Sequence, residues 1–138
     1  MRLREQLDVR KYYEELRRRL EPSQYDIYEL ERLAELVAQS LIDLAAMYMR
    51  GKPPTYRALL EQFGREIGYD PQRLGAVAAL RNVLIHRYFA TSVEKELAAF
   101  KNLVEMMPQV INLAERVIGD NPRIEDAKRL GEVFKNTE

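Results

Sequence analysis

The sequence predicts an all-α protein: an up-and-down helical bundle of four to five main helices, the fifth kinked at Pro108, followed by a short C-terminal helix. Three observations lead there. Apolar residues recur at three- and four-residue spacing along most of the chain, which is the period of one helix face. Helix-starting and helix-stopping residues separate these stretches. The period-two alternation of a half-buried strand is missing. At 138 residues, with no Gly/Ser linker, low-complexity tract or internal repeat, residues 1–138 read as a single domain.

The first helix is expected from about Arg2 to Leu20, stopped by Glu21-Pro22-Ser23. The second, about Tyr25 to Met49, carries Leu30, Leu33, Ala34, Val37, Leu41, Leu44, Ala45 and Tyr48 on one stripe and should face the core. Gly51-Lys52-Pro53-Pro54 ends it. Thr55 is suited to cap a third helix that closes near Ile67, with Gly68 as a left-handed stop. Asp70-Pro71 has the form of a cap plus first helical residue for a fourth helix reaching about Phe89. Thr91 and Glu94 have capping-box spacing and open a fifth. Its stripe of Val93, Leu97, Phe100, Val104, Met107, Ile111, Ala114 and Ile118 keeps its period through Pro108, so the reading is one kinked helix closed by Gly119. Asn121-Pro122 can start a short last helix to about Phe134, before a frayed tail.

Composition narrows the chemistry. There is no cysteine, which excludes disulfides, thiolate catalysis and Cys-based metal sites. The single histidine, His86, rules out a His-rich metal site within one chain, and neither Asp43, Asp70 nor the Glu-rich first helix offers ligand spacing. No metal or other cofactor is expected. Twenty-two basic and 22 acidic residues balance, so any RNA binding must rest on a local patch. Arg supplies 16 of the 22 cations, a planar fork suited to phosphate and carboxylate. Arg17-Arg18-Arg19 could touch phosphate, but such a run is usually a solvated face. Tyr12, Tyr13, Tyr25 and Tyr28 could stack bases, although packing between the first two helices is the commoner use of such rings. No apolar run approaches the ~20 residues needed to span a bilayer. The charged N-terminal Met1-Arg2-Leu3-Arg4-Glu5 lacks the apolar core of a signal peptide, and a cytoplasmic address is expected.

The fourth helix holds the residues with chemistry. At about 100° per residue, Val77, Leu84, Tyr88, Leu74, Ile85 and Ala78 form an apolar arc roughly 120° wide, and Arg81 falls near its middle. An unpaired guanidinium in a dry core costs several kcal/mol or more, on the order of the penalty for any buried lone charge. Arg81 therefore needs a carboxylate partner, or the surface it faces is wet and functional. Asn82 and His86 lie four residues apart on the adjacent stripe, where an amide could fix the tautomer and orientation of an imidazole. Each residue also has a structural reading: His86 stabilised by the helix dipole, Arg81 in an ion pair or snorkelling, Tyr88 packing.

The ungapped stretch Arg81-Asn82-Val83-Leu84-Ile85-His86-Arg87-Tyr88 resembles the Arg-x4-His-x-Tyr signature of HepT-like ribonuclease toxins in the HEPN superfamily. Leu41-Ile42-Asp43-Leu44-Ala45 looks like the Ile-Asp-Ile-Ala segment common there, and Pro53-Pro54-Thr55-Tyr56-Arg57-Ala58-Leu59 resembles the loop and aromatic opening of the family's third helix. The likeness covers roughly Tyr25 to Val117. It implies a HEPN-like bundle and a metal-independent endoribonuclease that dimerises, bringing two motifs into one cleft. Arg81 would hold the scissile phosphate, His86 would act as general acid or base, and Asn82 would orient the imidazole or the substrate. A homodimer would supply two His86 side chains. The resemblance also implies a minimal nucleotidyltransferase antitoxin that adenylylates Tyr88. The alternative from another class is a non-catalytic binding subunit, or modification target, of such a nucleotidyltransferase.

Overall fold

The computed structural model describes residues 2–21, 26–49, 53–86 and 93–119. These residues form five helices and no strand: α1 (Arg2–Leu20), α2 (Ile27–Tyr48), α3 (Tyr56–Ile67), α4 (Pro71–His86) and α5 (Val93–Gly119). The expected helix after Asn121, the end of the fourth helix at Phe89 and the cap at Thr91 lie outside the described residues. No helix among the described residues is long and apolar enough to cross a membrane.

The caps explain where the helices start and stop. Thr55 accepts a hydrogen bond from the Ala58 amide at 3.0 Å, satisfying one of the amides that a helix start leaves unpaired. Gly68 closes α3 at φ +82°, a left-handed conformation that a Cβ disfavours. The Gly68 and Tyr69 amides both return to the Gly64 carbonyl, at 3.0 and 2.9 Å. Asp70 then takes the Gln72 amide at 3.0 Å, and Pro71 follows as the first residue of α4. One boundary differs from the sequence reading. α2 starts at Ile27, two residues later than expected from Tyr25, because Asp26 is the cap and accepts from the Tyr28 amide at 3.0 Å.

α2 is the centre of the packing: α1, α3, α4 and α5 all contact it. All eight residues of its expected stripe are buried, and Ala38, Ser40 and Ile42 are buried as well, because neighbours cover more than one face. The Ser40 hydroxyl is satisfied by donating to the Val37 carbonyl at 3.0 Å. α1 runs antiparallel to α2. Arg19 pairs with Glu29 at one end, and Val9 meets Leu41 and Leu44 at the other, where Val110, Ile111 and Ala114 of α5 join them. Tyr12 and Tyr13 pack against the core from α1, whereas Tyr28 points out, 69% exposed.

α3 and α4 form a second antiparallel pair. The pair is close at Gly64, where an added Cβ would come within 3.1 Å of the Pro71 Cα, and at Gly75, where one would come within 2.8 Å of the Glu61 Cγ. Phe63, fully buried, meets the Tyr48 ring edge-on at 5.8 Å between centroids and ties this pair to α2. α5 passes through Pro108 as one helix. Proline removes the amide that would bond the Val104 carbonyl, and the apolar stripe on both sides of it holds the helix together. Phe100, Met107, Ile111, Ala114 and Ile118 are buried as expected. Val93 is not: it is 47% exposed, and Glu96 occupies the buried position at that end of α5.

Glu96 is 5% exposed and faces Glu31 of α2. Burial, then the hydrogen bond and charge of Glu31, push its carboxyl from 4.5 up to about 7. The folded protein therefore binds this proton more tightly than the unfolded chain does. The resulting stabilisation is complete below 4.5 and is lost as the pH rises through about 7. Glu96→Gln keeps a neutral hydrogen-bonding group there at every pH. In urea unfolding at pH 5 to 8, the parent should lose on the order of 2 kcal/mol that the variant keeps. Parallel pH profiles for the two proteins would contradict this assignment.

Candidate active site

Arg81 sits in the third turn of α4, half-buried, on the arc formed by Leu74, Val77, Ala78 and Leu84, all of which are buried. The arc does not stay buried to its end: Ile85 is 39% exposed. Helical spacing identifies the face but not how far the neighbouring helices extend along it. Tyr88, the remaining member of the arc, lies outside the described residues.

No carboxylate lies in salt-bridge contact with Arg81 among the described residues. Its partners are neutral. Nε donates to Gln39 Oε1 of α2 at 2.7 Å, and Nη1 donates to Asn82 Oδ1 at 3.2 Å. The guanidinium carbon stands 4.9 Å from the centroid of the Tyr56 ring at the head of α3, a cation–π contact. Behind Gln39, its Nε2 donates to Asp43 Oδ1 at 2.9 Å, one turn along α2. Three helices thus hold one cation, and Asp43 is linked to it through an intervening amide.

Asn82 and His86 are exposed side by side on the last two turns of α4. Arg81, Asn82 and His86 therefore share one accessible helix end, as the sequence spacing implies. Asn82 has turned its oxygen to Arg81, which leaves its amide NH2 as the end that can donate to substrate or imidazole. Arg17, Arg18 and Arg19 do not form a free basic patch. Arg17 pairs with Glu21, Arg18 with Glu15, and Arg19 with Glu15 and Glu29.

Gln39 was not legible as a site residue. The signal for it is a polar residue in the mostly apolar second half of α2, with a carboxylate four positions on. In sequence, Asp43 stands out only as a carboxylate without metal-ligand spacing and as part of the family-like segment, and Tyr56 only as the aromatic opening of the third helix. Their shared contact with Arg81, direct or through Gln39, spans up to 42 residues of sequence and depends on the tertiary fold.

The family model described as Ribonuclease HepT-like matches residues 3–117. The chain belongs to the HepT-like ribonuclease family. That match spans α1 to the last turns of α5 and includes every residue of the Arg81 cluster. No curated protein and no solved structure matches this HepT-like chain.

Proposed function

We propose that this HepT-like protein is a metal-independent endoribonuclease toxin with a site built from Arg81, Asn82 and His86. One observation carries the reading: among the described residues Arg81 is fixed from three helices without a carboxylate in contact, and it shares an accessible helix end with His86 and Asn82. A guanidinium held rigidly with its charge uncancelled is suited to the non-bridging oxygens of a phosphodiester.

In the proposed reaction one histidine removes the proton of the ribose 2′-hydroxyl, and the oxygen attacks phosphorus. The bond to the 5′-oxygen breaks, and a second histidine protonates that leaving oxygen. The products are a 2′,3′-cyclic phosphate and a free 5′-hydroxyl. Arg81 stabilises the charge that builds on the phosphoryl oxygens, and Asn82 donates its amide NH2 to substrate or imidazole. Each chain has one histidine, so the second comes from a partner copy across a two-fold axis. The exposed Ile85 and the half-buried Leu80 and Val83 on α4 support an interface along this helix.

Control by a minimal nucleotidyltransferase antitoxin is part of the same reading. In sequence, Tyr88 is seven residues after Arg81, an interval equal to two turns at helical period. An adenylate on Tyr88 would place a phosphate against Arg81 and block RNA. Tyr88→Phe should keep cleaving RNA yet escape neutralisation, as judged by co-expression with the partner and intact mass. Modification at another tyrosine, or full silencing of Tyr88→Phe, would exclude Tyr88 as the switch.

Growth after induced expression of the chain alone tests the enzymatic reading. Arrest by the parent and normal growth with His86→Ala fit a ribonuclease. Growth unaffected by either protein favours a non-catalytic binding subunit or modification target of the nucleotidyltransferase.

A further inference from the structure

Building on the ribonuclease reading, we propose that Gln39 and Asp43 are positioning residues for Arg81: an amide locked by a carboxylate holds the guanidinium by Nε without neutralising it. The geometry fixes the direction of each bond. Arg81 Nε–H donates to Gln39 Oε1 at 2.7 Å, so the Gln39 NH2 must point the other way, and it donates to Asp43 Oδ1 at 2.9 Å. A glutamine amide can flip, and a flipped one would set its NH2 against the Arg81 Nε–H, donor against donor. Asp43 prevents this because a carboxylate only accepts.

The neutral link matters. A carboxylate at position 39 would bond Arg81 at least as strongly but would form an ion pair, leaving less net charge for a phosphate. With the glutamine between them, Asp43 orients the relay from one residue further away. Nε is then held by Gln39, Nη1 by Asn82, and the guanidinium lies against Tyr56, so Nη2 is the nitrogen with no hydrogen bond among the described residues. That nitrogen is the one left to meet a phosphate oxygen. An arginine free to rotate would reach phosphate in many poses, and misplacement by about 1 Å at a reacting group can cost about a hundredfold in rate.

The test uses the full chain and a fluorescein-labelled single-stranded oligoribonucleotide. Binding is measured in a His86→Ala background so that the RNA survives, and cleavage in the otherwise native protein. Gln39→Glu has the same shape and should cancel the Arg81 charge. The slope of log affinity against log salt should fall by about 0.7, the value of one single-strand phosphate contact, to match Arg81→Ala. Cleavage should fall about tenfold or more. Gln39→Met leaves the charge and removes the hold, so the salt slope should stay while kcat drops about tenfold or more with little change in KM. Asp43→Asn can donate as well as accept, so it lets the Gln39 amide flip. The salt slope should stay while kcat drops about tenfold, and parent-like cleavage by Asp43→Asn would remove Asp43 from the proposal.

Circular dichroism checks folding. If Gln39→Met does not fold, the isosteric Gln39→Glu decides. An unchanged salt slope in Gln39→Glu or in Arg81→Ala overturns the proposal, as does full cleavage activity in both Gln39 variants. A parent that binds RNA with the Arg81-dependent slope but never cleaves it overturns the ribonuclease reading and leaves the positioning role standing.

Discussion

Replacing His86 with alanine should lower RNA cleavage by about 10²- to 10⁴-fold, the range for losing a positioned general acid or base. The fold should not change. His86 is exposed on the last turn of α4, and surface substitutions usually shift stability by no more than about 0.5 kcal/mol. In the proposed dimer one substitution removes both the group that takes the 2′-hydroxyl proton and the group that protonates the leaving oxygen, which argues for the upper part of the range. Urea unfolding of parent and variant, run beside the cleavage assay, separates lost chemistry from lost structure. Equal cleavage by the two would remove His86 from the mechanism.

Arg81→Lys keeps the charge, yet it should cost about 10²-fold or more in kcat, near the cost of losing one preorganised donor to a developing oxyanion. Lysine cannot reproduce what holds Arg81. Its ammonium has no planar Nε–H to match Gln39 while a second nitrogen reaches Asn82, and it lies less well on the Tyr56 ring. RNA affinity should keep its salt dependence, because one positive charge remains near the same phosphate. A rate close to the parent's would show that charge alone suffices and that the three-helix clamp has no part in catalysis.

What could be read from the sequence follows from how local each signal is. Thr55, Gly68 and Asp70 act on amides and carbonyls within four residues, so their roles follow from residue type and spacing. The α2 stripe is equally local: a helix with that period must bury that face. The apolar pattern continues back to Tyr25 past the cap, Asp26, so spacing alone marks the α2 start only to within about two residues. Ile85 and Val93 belong to apolar stripes but lie where coverage by neighbouring helices runs out. At Glu96, the sequence shows an acid in the first turn of a helix, favourable to the dipole. Its burial beside Glu31 depends on α2 and α5 lying together.

The same division holds for the site. That Arg81, Asn82 and His86 share a helix end follows from intervals of one and four residues. Sequence also shows that Arg81 needs a partner or a wet surface. It does not show that the answer is an amide on α2 and a ring on α3, because that answer depends on packing between distant segments.

The measurement closest to the central claim is the chemistry of the RNA ends. Purified protein is incubated with RNA in EDTA, and the products are analysed for their termini. Attack by the 2′-hydroxyl without a metal requires cleavage that persists in EDTA, is lost in His86→Ala, and leaves 2′,3′-cyclic phosphate, or its hydrolysed form, opposite a 5′-hydroxyl. Cleavage that stops in EDTA and returns with a divalent ion, or products with a 5′-phosphate and an intact 3′-hydroxyl, would contradict it.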